Sequence, residues 1–122
     1  ALGEAHPSTL ASINNLAFLY KAKGEYAAAE PLYKQALEGY KAALGEAHPN
    51  TFTSINNLAS LYKAKGDFAA AEPLCKAALE GCRAAQGEAH PSTLASINNL
   101  ASLYATKGDY AAAEPLYKQA LE

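Results

Sequence analysis

One segment occurs three times in this chain, each copy 42 positions after the last. Gly-Glu-Ala-His-Pro fills 3–7, 45–49 and 87–91, Ser-Ile-Asn-Asn-Leu-Ala fills 12–17, 54–59 and 96–101, and Ala-Ala-Ala-Glu-Pro-Leu fills 27–32, 69–74 and 111–116. Residues 5–38 differ from 89–122 at four of 34 positions, and from 47–80 at eight. Self-similarity at a period of roughly 20–50 residues marks a solenoid, in which a unit too small to enclose a core buries its apolar face on its neighbours. The expected organisation is one repeat domain over 1–122, with three units at about 5–45, 47–87 and 89–122, the last truncated. Neither end carries an obvious polar capping helix, so homo-association through the uncapped ends is an expected hazard.

Each unit reads as two helices. Advancing about 100° per residue places Leu10, Ile13, Leu16, Ala17 and Tyr20 in one apolar stripe, which predicts an amphipathic helix A over 8–23. Gly24 suits its C-terminal end, with Lys21 and Lys23 in a last turn where cations meet the helix dipole favourably. Helix B is predicted from about Glu25 to Ala43, with Tyr26, Ala29, Leu32, Tyr33, Ala36, Leu37 and Tyr40 apolar and Gly45 closing it. Pro31, Pro73 and Pro115 fall inside helix B, where a proline costs ~3 kcal/mol and kinks the helix. Its recurrence in all three units predicts an accommodated bend.

Charge and spacing exclude several function classes. Lys plus Arg against Asp plus Glu is 4/4 in 1–42, 4/4 in 43–84 and 2/4 in 85–122, so no segment has the basic excess that phosphate neutralisation requires and nucleic acid is not an expected partner. No apolar run approaches the ~20 residues that cross a bilayer, so no membrane is expected either. His6, His48 and His90 follow Glu4, Glu46 and Glu88, but stacked units hold equivalent residues ~10 Å apart, too far to share one metal ion. His-Pro reads instead as a helix-start device. Cys75 and Cys82 lie seven apart on helix B, ~10 Å along its axis, beyond disulfide reach. They read as small core fillers, and reduced cysteines suit a cytoplasmic setting. Glu30, Glu72 and Glu114 read as solvated charges. No nucleophile–base pair, phosphate loop or cofactor motif is present, so neither enzyme activity nor a cofactor is expected.

Ile13, Leu16, Ala17, Tyr20, Gly24, Tyr26, Ala29, Tyr33 and Ala36 form a pattern that returns as Ile55, Leu58, Ala59, Tyr62, Gly66, Phe68, Ala71, Cys75 and Ala78, and again as Ile97, Leu100, Ala101, Tyr104, Gly108, Tyr110, Ala113, Tyr117 and Ala120. This resembles the tetratricopeptide repeat, and the 42-residue period with its His-Pro start resembles the long repeats of kinesin light chains and their bacterial relatives. The resemblance covers nearly the whole chain. It departs at Cys75, which replaces an aromatic, and in the lengthened helix B. It implies an all-α fold, an alpha-solenoid of stacked antiparallel helix pairs in a right-handed superhelix whose concave wall is lined by the A helices.

Asn15 falls about 200° from the reference Ile13, nearly opposite the core stripe, and Ala11, Phe18, Ala22 and Asn14 lie on the same open face. Asn inside a helix costs about 0.6 kcal/mol relative to Ala, and six occur here: Asn14, Asn15, Asn56, Asn57, Asn98 and Asn99. A primary amide both donates and accepts, so a row of them can pair with the main chain of an extended peptide. The resemblance implies that role for Asn15, Asn57 and Asn99, whereas the Asn14, Asn56 and Asn98 row is expected to be structural or flanking. Phe18 becomes Ser60 and Ser102, and Lys21 is kept as Lys63 but becomes Ala105. The expected groove is therefore basic and apolar at first and plainer at its third unit. Its expected ligand is an extended or helical peptide or protein segment with an acidic or apolar residue near Phe18 and Lys21. The alternative is a structural or engineered repeat scaffold with no ligand of its own, prone to end-to-end self-association.

Overall fold

The computed structural model describes residues 7–121 as six helices: α1 (Pro7–Ala22), α2 (Tyr26–Leu44), α3 (Pro49–Lys65), α4 (Phe68–Gln86), α5 (Pro91–Lys107) and α6 (Tyr110–Leu121). Tight turns separate the helices of each pair. Gly24, Gly66 and Gly108 hold φ near +80 to +90°, a conformation open to glycine at little cost. The Glu25 amide then donates to Tyr20 O (2.8 Å) and the Gly24 amide to Lys21 O (3.0 Å), the two bonds of a Schellman stop. Between pairs, His48 and His90 act as N-caps. Their Nδ1 atoms accept from the amides of Asn50 and Ser92 at 3.0 Å, with Pro49 and Pro91 in the first turn. His-Pro is thus a helix-start device in those two units; His6 and Glu4 lie outside the described residues.

Helix B runs unbroken through each proline. The prolines and the residues four positions earlier (Ala27, Ala69 and Ala111) are all exposed. A carbonyl deprived of its helical partner there faces water, which removes most of the penalty of an interior proline.

Helices pack antiparallel within a pair, and α2 also packs on α3 and α4 on α5. Each internal A helix therefore lies between two B helices, its own and the preceding one. A wheel drawn for one partner misses this. Leu61 and Leu103 are fully buried although their position lies outside the predicted stripe, because they face the preceding B helix. Leu19, at the matching place on α1, is exposed, as is Leu16, whose counterparts Leu58 and Leu100 are buried. Within a pair, Gly39 of α2 lies against Leu10 of α1, and Gly81 of α4 against Phe52 of α3. A Cβ at Gly39 would stand 3.0 Å from Leu10 Cδ1, and one at Gly81 2.9 Å from Phe52 Cζ. Thr51 and Thr93 are buried and donate from Oγ1 to the carbonyls of Gly45 and Gly87 at 2.7 Å, fastening each helix start to the end of the preceding unit.

Two of the glutamates read as solvated charges are instead clamps between units. Glu30 on α2 accepts from Tyr62 Oη (3.1 Å) and Lys65 Nζ (2.8 Å) on α3 and pairs with Lys34 (2.9 Å). Glu72 on α4 repeats this with Tyr104 (3.0 Å), Lys107 (3.4 Å) and Lys76 (2.9 Å). Hydrogen bonds from Lys65 and Lys34 hold the Glu30 carboxyl down to about 2, and those from Lys76 and Tyr104 lower that of Glu72. The signal was hidden because the partners lie 32 and 35 residues away in sequence.

Candidate peptide-binding groove

The first helices line one side of the stack. α3 packs directly on α5, whereas α1 and α3, like α2 and α4, share no contact of that extent. Side-chain bonds nevertheless join each first helix to the next, so the three form one wall of the stack. Along that wall runs a row of polar rungs. Lys21 Nζ on α1 donates to Ser60 Oγ on α3 at 2.6 Å, and Lys63 Nζ on α3 donates to Ser102 Oγ on α5 at 3.0 Å. Desolvation, with Lys63 nearby, pushes the Lys21 pKa below its ordinary value. The unit-to-unit changes at these positions are therefore coupled: a lysine in one unit stands with a serine in the next.

The two asparagine rows separate. Asn56 Nδ2 donates to Ser96 Oγ on the next A helix at 3.3 Å. Asn14 carries a buried amide oxygen with no partner and Asn98 is exposed. Among the described residues, Asn56 alone of this row bonds to the neighbouring unit. Asn15 and Asn99 are exposed and Asn57 is half-buried, and among the described residues no hydrogen bond engages the side-chain amide of any of the three. Asn57 and Asn99 meet across one cavity of about 210 Å³, lined also by Asn56, Ala59, Ser60, Lys63 and Cys75. Its floor follows from the sequence. Cys75 stands where Tyr33 and Tyr117 stand in the other units, so a small thiol replaces a phenol ring. Burial raises the Cys75 pKa, keeping the thiol protonated and a poor nucleophile.

Phe18, Lys21, Ala22 and Tyr26 surround a second hollow of about 90 Å³ at the α1 end of the groove. Asn15 belongs to neither hollow, and Ser102 takes part through its bond to Lys63. Sequence reasoning placed the specificity-bearing end at Phe18 and Lys21; the larger opening lies one unit further on, at Lys63 and Cys75. The Tyr-to-Cys change that opens it was visible as the departure from the repeat at residue 75. Among the described residues, no helix is long and apolar enough to cross a membrane, and no group of His, Cys, Asp and Glu could hold a metal ion.

The tetratricopeptide repeat family pattern matches residues 8–74 and 50–122. No curated protein matches the chain. Solved structures do. A Podosopora anserina protein with nearly identical TPR-like repeats, described as a kinesin light chain, is 33% identical with a TM-score of 0.85 over 98% of this chain and 56% of its own. A single-substitution variant of that protein gives 0.86 with the same identity and coverage. BtubC (BKLC) from P. vanneervenii is 27% identical with a TM-score of 0.82, over 96% of this chain and 47% of its own. The chain spans about half the length of the structures it matches.

Proposed function

Since this chain belongs to the tetratricopeptide repeat family, with kinesin light chain-like repeats, we propose that it is a protein–protein interaction module whose concave groove holds a segment of a partner chain. Repeats of this family generally mediate protein–protein interaction and are typically non-enzymatic scaffolds. The finer reading rests on one observation: Asn57 and Asn99 line the same cavity with amides that no group among the described residues uses. An extended segment crossing the A helices pairs its main chain with Asn15, Asn57 and Asn99. Such pairing is indifferent to side chains, so selectivity comes from the hollows. The cavity beside Asn57 is half polar, roomy enough for one carboxylate side chain, and carries Lys63 on its wall. The preferred segment therefore places Asp or Glu there, with an apolar residue toward Phe18.

A peptide array of extended sequences, each with one central acid, tests this against the purified chain. Binders should weaken about tenfold or more in the Cys75→Tyr variant, whose ring takes the space of the cavity while all three asparagines are kept. Retention of no peptide, or binding indifferent to Cys75→Tyr, would overturn the reading and leave a repeat scaffold with no ligand of its own.

A further inference from the structure

Two departures from the repeat meet in one place. Of the eight differences between residues 5–38 and 47–80, Ser60 for Phe18 and Cys75 for Tyr33 each put a small polar side chain where the first unit has an aromatic ring. Both line the cavity beside Asn57. The third unit keeps the hydroxyl as Ser102 but restores the ring as Tyr117 and replaces the lysine by Ala105. Of the three units, the middle one alone combines a lysine, a hydroxyl and the space of a missing ring. The combination lies inside the stack, because the residues lining the cavity come from α3, α4 and α5.

The charge around this cavity is one-sided. α1, α3 and α5 carry no Asp or Glu. Lys63 lines the cavity, and its charge is felt at the floor: burial raises the Cys75 pKa, the Lys63 charge pulls against that rise and Glu72 adds to it. Glu72 is itself held by Lys76, Lys107 and Tyr104. A second ammonium acts through Ser60. Lys21 Nζ donates to Ser60 Oγ at 2.6 Å, which leaves the hydroxyl hydrogen to donate onward. Desolvation, with repulsion from Lys63, holds the Lys21 pKa below its ordinary value. The two ammoniums are thus near enough to oppose each other, and an anion between them relieves both.

A carboxylate placed here answers one of these two charges. A phosphoryl group carries close to two negative charges at neutral pH and three acceptor oxygens, so it answers both and takes several donors at once. Resting on the reading of the groove as a peptide site, we propose that this cavity takes the phosphoryl group of a phosphoserine or phosphothreonine in the bound segment. Lys63 and the Ser60 hydroxyl donate to its oxygens, and Lys21 stands behind Ser60 as the second charge. The Asn57 and Asn99 amides remain for the main chain of the segment. The bare acceptor nearby, Asn56 Oδ1, is shut off from solvent and so does not meet the ligand. Asp or Glu at the same place is the weaker ligand, and phosphorylation of the partner strengthens its capture.

The test is a peptide array in which each extended sequence carries Ser, Glu or phosphoserine at its centre, followed by calorimetric titration of the retained sequences into the 122-residue chain. The phosphoserine form should bind about tenfold or more tighter than the Glu form, with the Ser form weakest. Lys21→Gln keeps the cavity and Lys63 but removes the second charge, so the phosphoserine advantage should shrink to about threefold or less while Glu binding changes little. Ser60→Ala cuts the link while keeping both lysines and should shrink the advantage too; it stands in for Lys21→Gln if circular dichroism shows that variant to be less helical. Inorganic phosphate alone should bind at least about a hundredfold more weakly than the phosphoserine form, because it lacks a main chain for the asparagines. A phosphoserine form no tighter than the Glu form, an advantage unchanged in both variants, or inorganic phosphate bound as tightly as the peptide would overturn the phosphate site and leave the groove reading in place. Retention of no sequence with any of the three residues would overturn both.

Discussion

Replacing Glu30 by Gln should destabilise the chain, while the same change at Glu114 should leave it almost untouched. The two glutamates occupy equivalent positions in near-identical helices, so local sequence effects cancel in the comparison. Glu30 joins two units through Tyr62 and Lys65, with its side chain 23% exposed; among the described residues Glu114 has only Lys118, four residues on, and is 68% exposed. A hydrogen bond to a charged group contributes ~1.5–3 kcal/mol when well sheltered. Partial solvation of Glu30 and Lys65 cuts this to about 1 kcal/mol, whereas an exposed i,i+4 pair contributes only ~0.3–0.5. For a chain of this size 1 kcal/mol moves the midpoint by about 3–6 °C. The pH dependence has a definite sign. The Glu30 carboxyl titrates at about 2 when folded against 4.5 when unfolded. Between those values the unfolded chain binds more protons, so the stabilisation is complete above 4.5 and is lost as pH falls toward 2. Thermal melts followed by circular dichroism, at dilution, should therefore show the gap between wild type and Glu30→Gln at pH 7 shrinking by pH 2.5. Equal midpoints for the Glu30 and Glu114 variants, or a gap that persists at the acid end, would refute the clamp.

The two-sided packing of the A helices predicts that Leu58→Ala costs ~2–4 kcal/mol while Leu16→Ala, on the open face, costs about 1 or less; urea titrations of both variants measure the difference. Gly81→Ala gains up to ~1 kcal/mol of helix propensity but drives a methyl into the buried Phe52 ring. Overpacking of that kind costs ~1–3 kcal/mol, so the net change should be a lower melting temperature, and a rise would show that Phe52 yields freely.

The helices and their ends were legible in the residues because they depend on local chemistry. An apolar period of 3.6, glycine at a left-handed stop and His-Pro at a start all act within a few positions. What stayed hidden acts between units. The burial of Leu61 depends on a second helix behind α3, and the clamp at Glu30 and the rung at Lys21 join residues 32 to 39 positions apart. Pro31 shows the opposite case. The local rule is correct, but an exposed helix face lets water take the carbonyl that the rule counts as orphaned. On the first helices, the exposure of Asn15 and Asn99 was readable from the wheel. The cavity beside Asn57 was not, because its depth depends on how a thiol packs where two other units carry a phenol ring.

The recognition reading depends most on amides that do nothing for the fold. The triple variant Asn15→Ala, Asn57→Ala, Asn99→Ala separates the two roles in one preparation, by calorimetric titration with an array-selected acidic peptide alongside a thermal melt. Each substitution should add about 0.6 kcal/mol of helix propensity, so the melting temperature should rise while peptide binding disappears. A variant that binds the peptide as tightly as the wild type, or that melts lower because those amides were holding the helices together, would contradict the account.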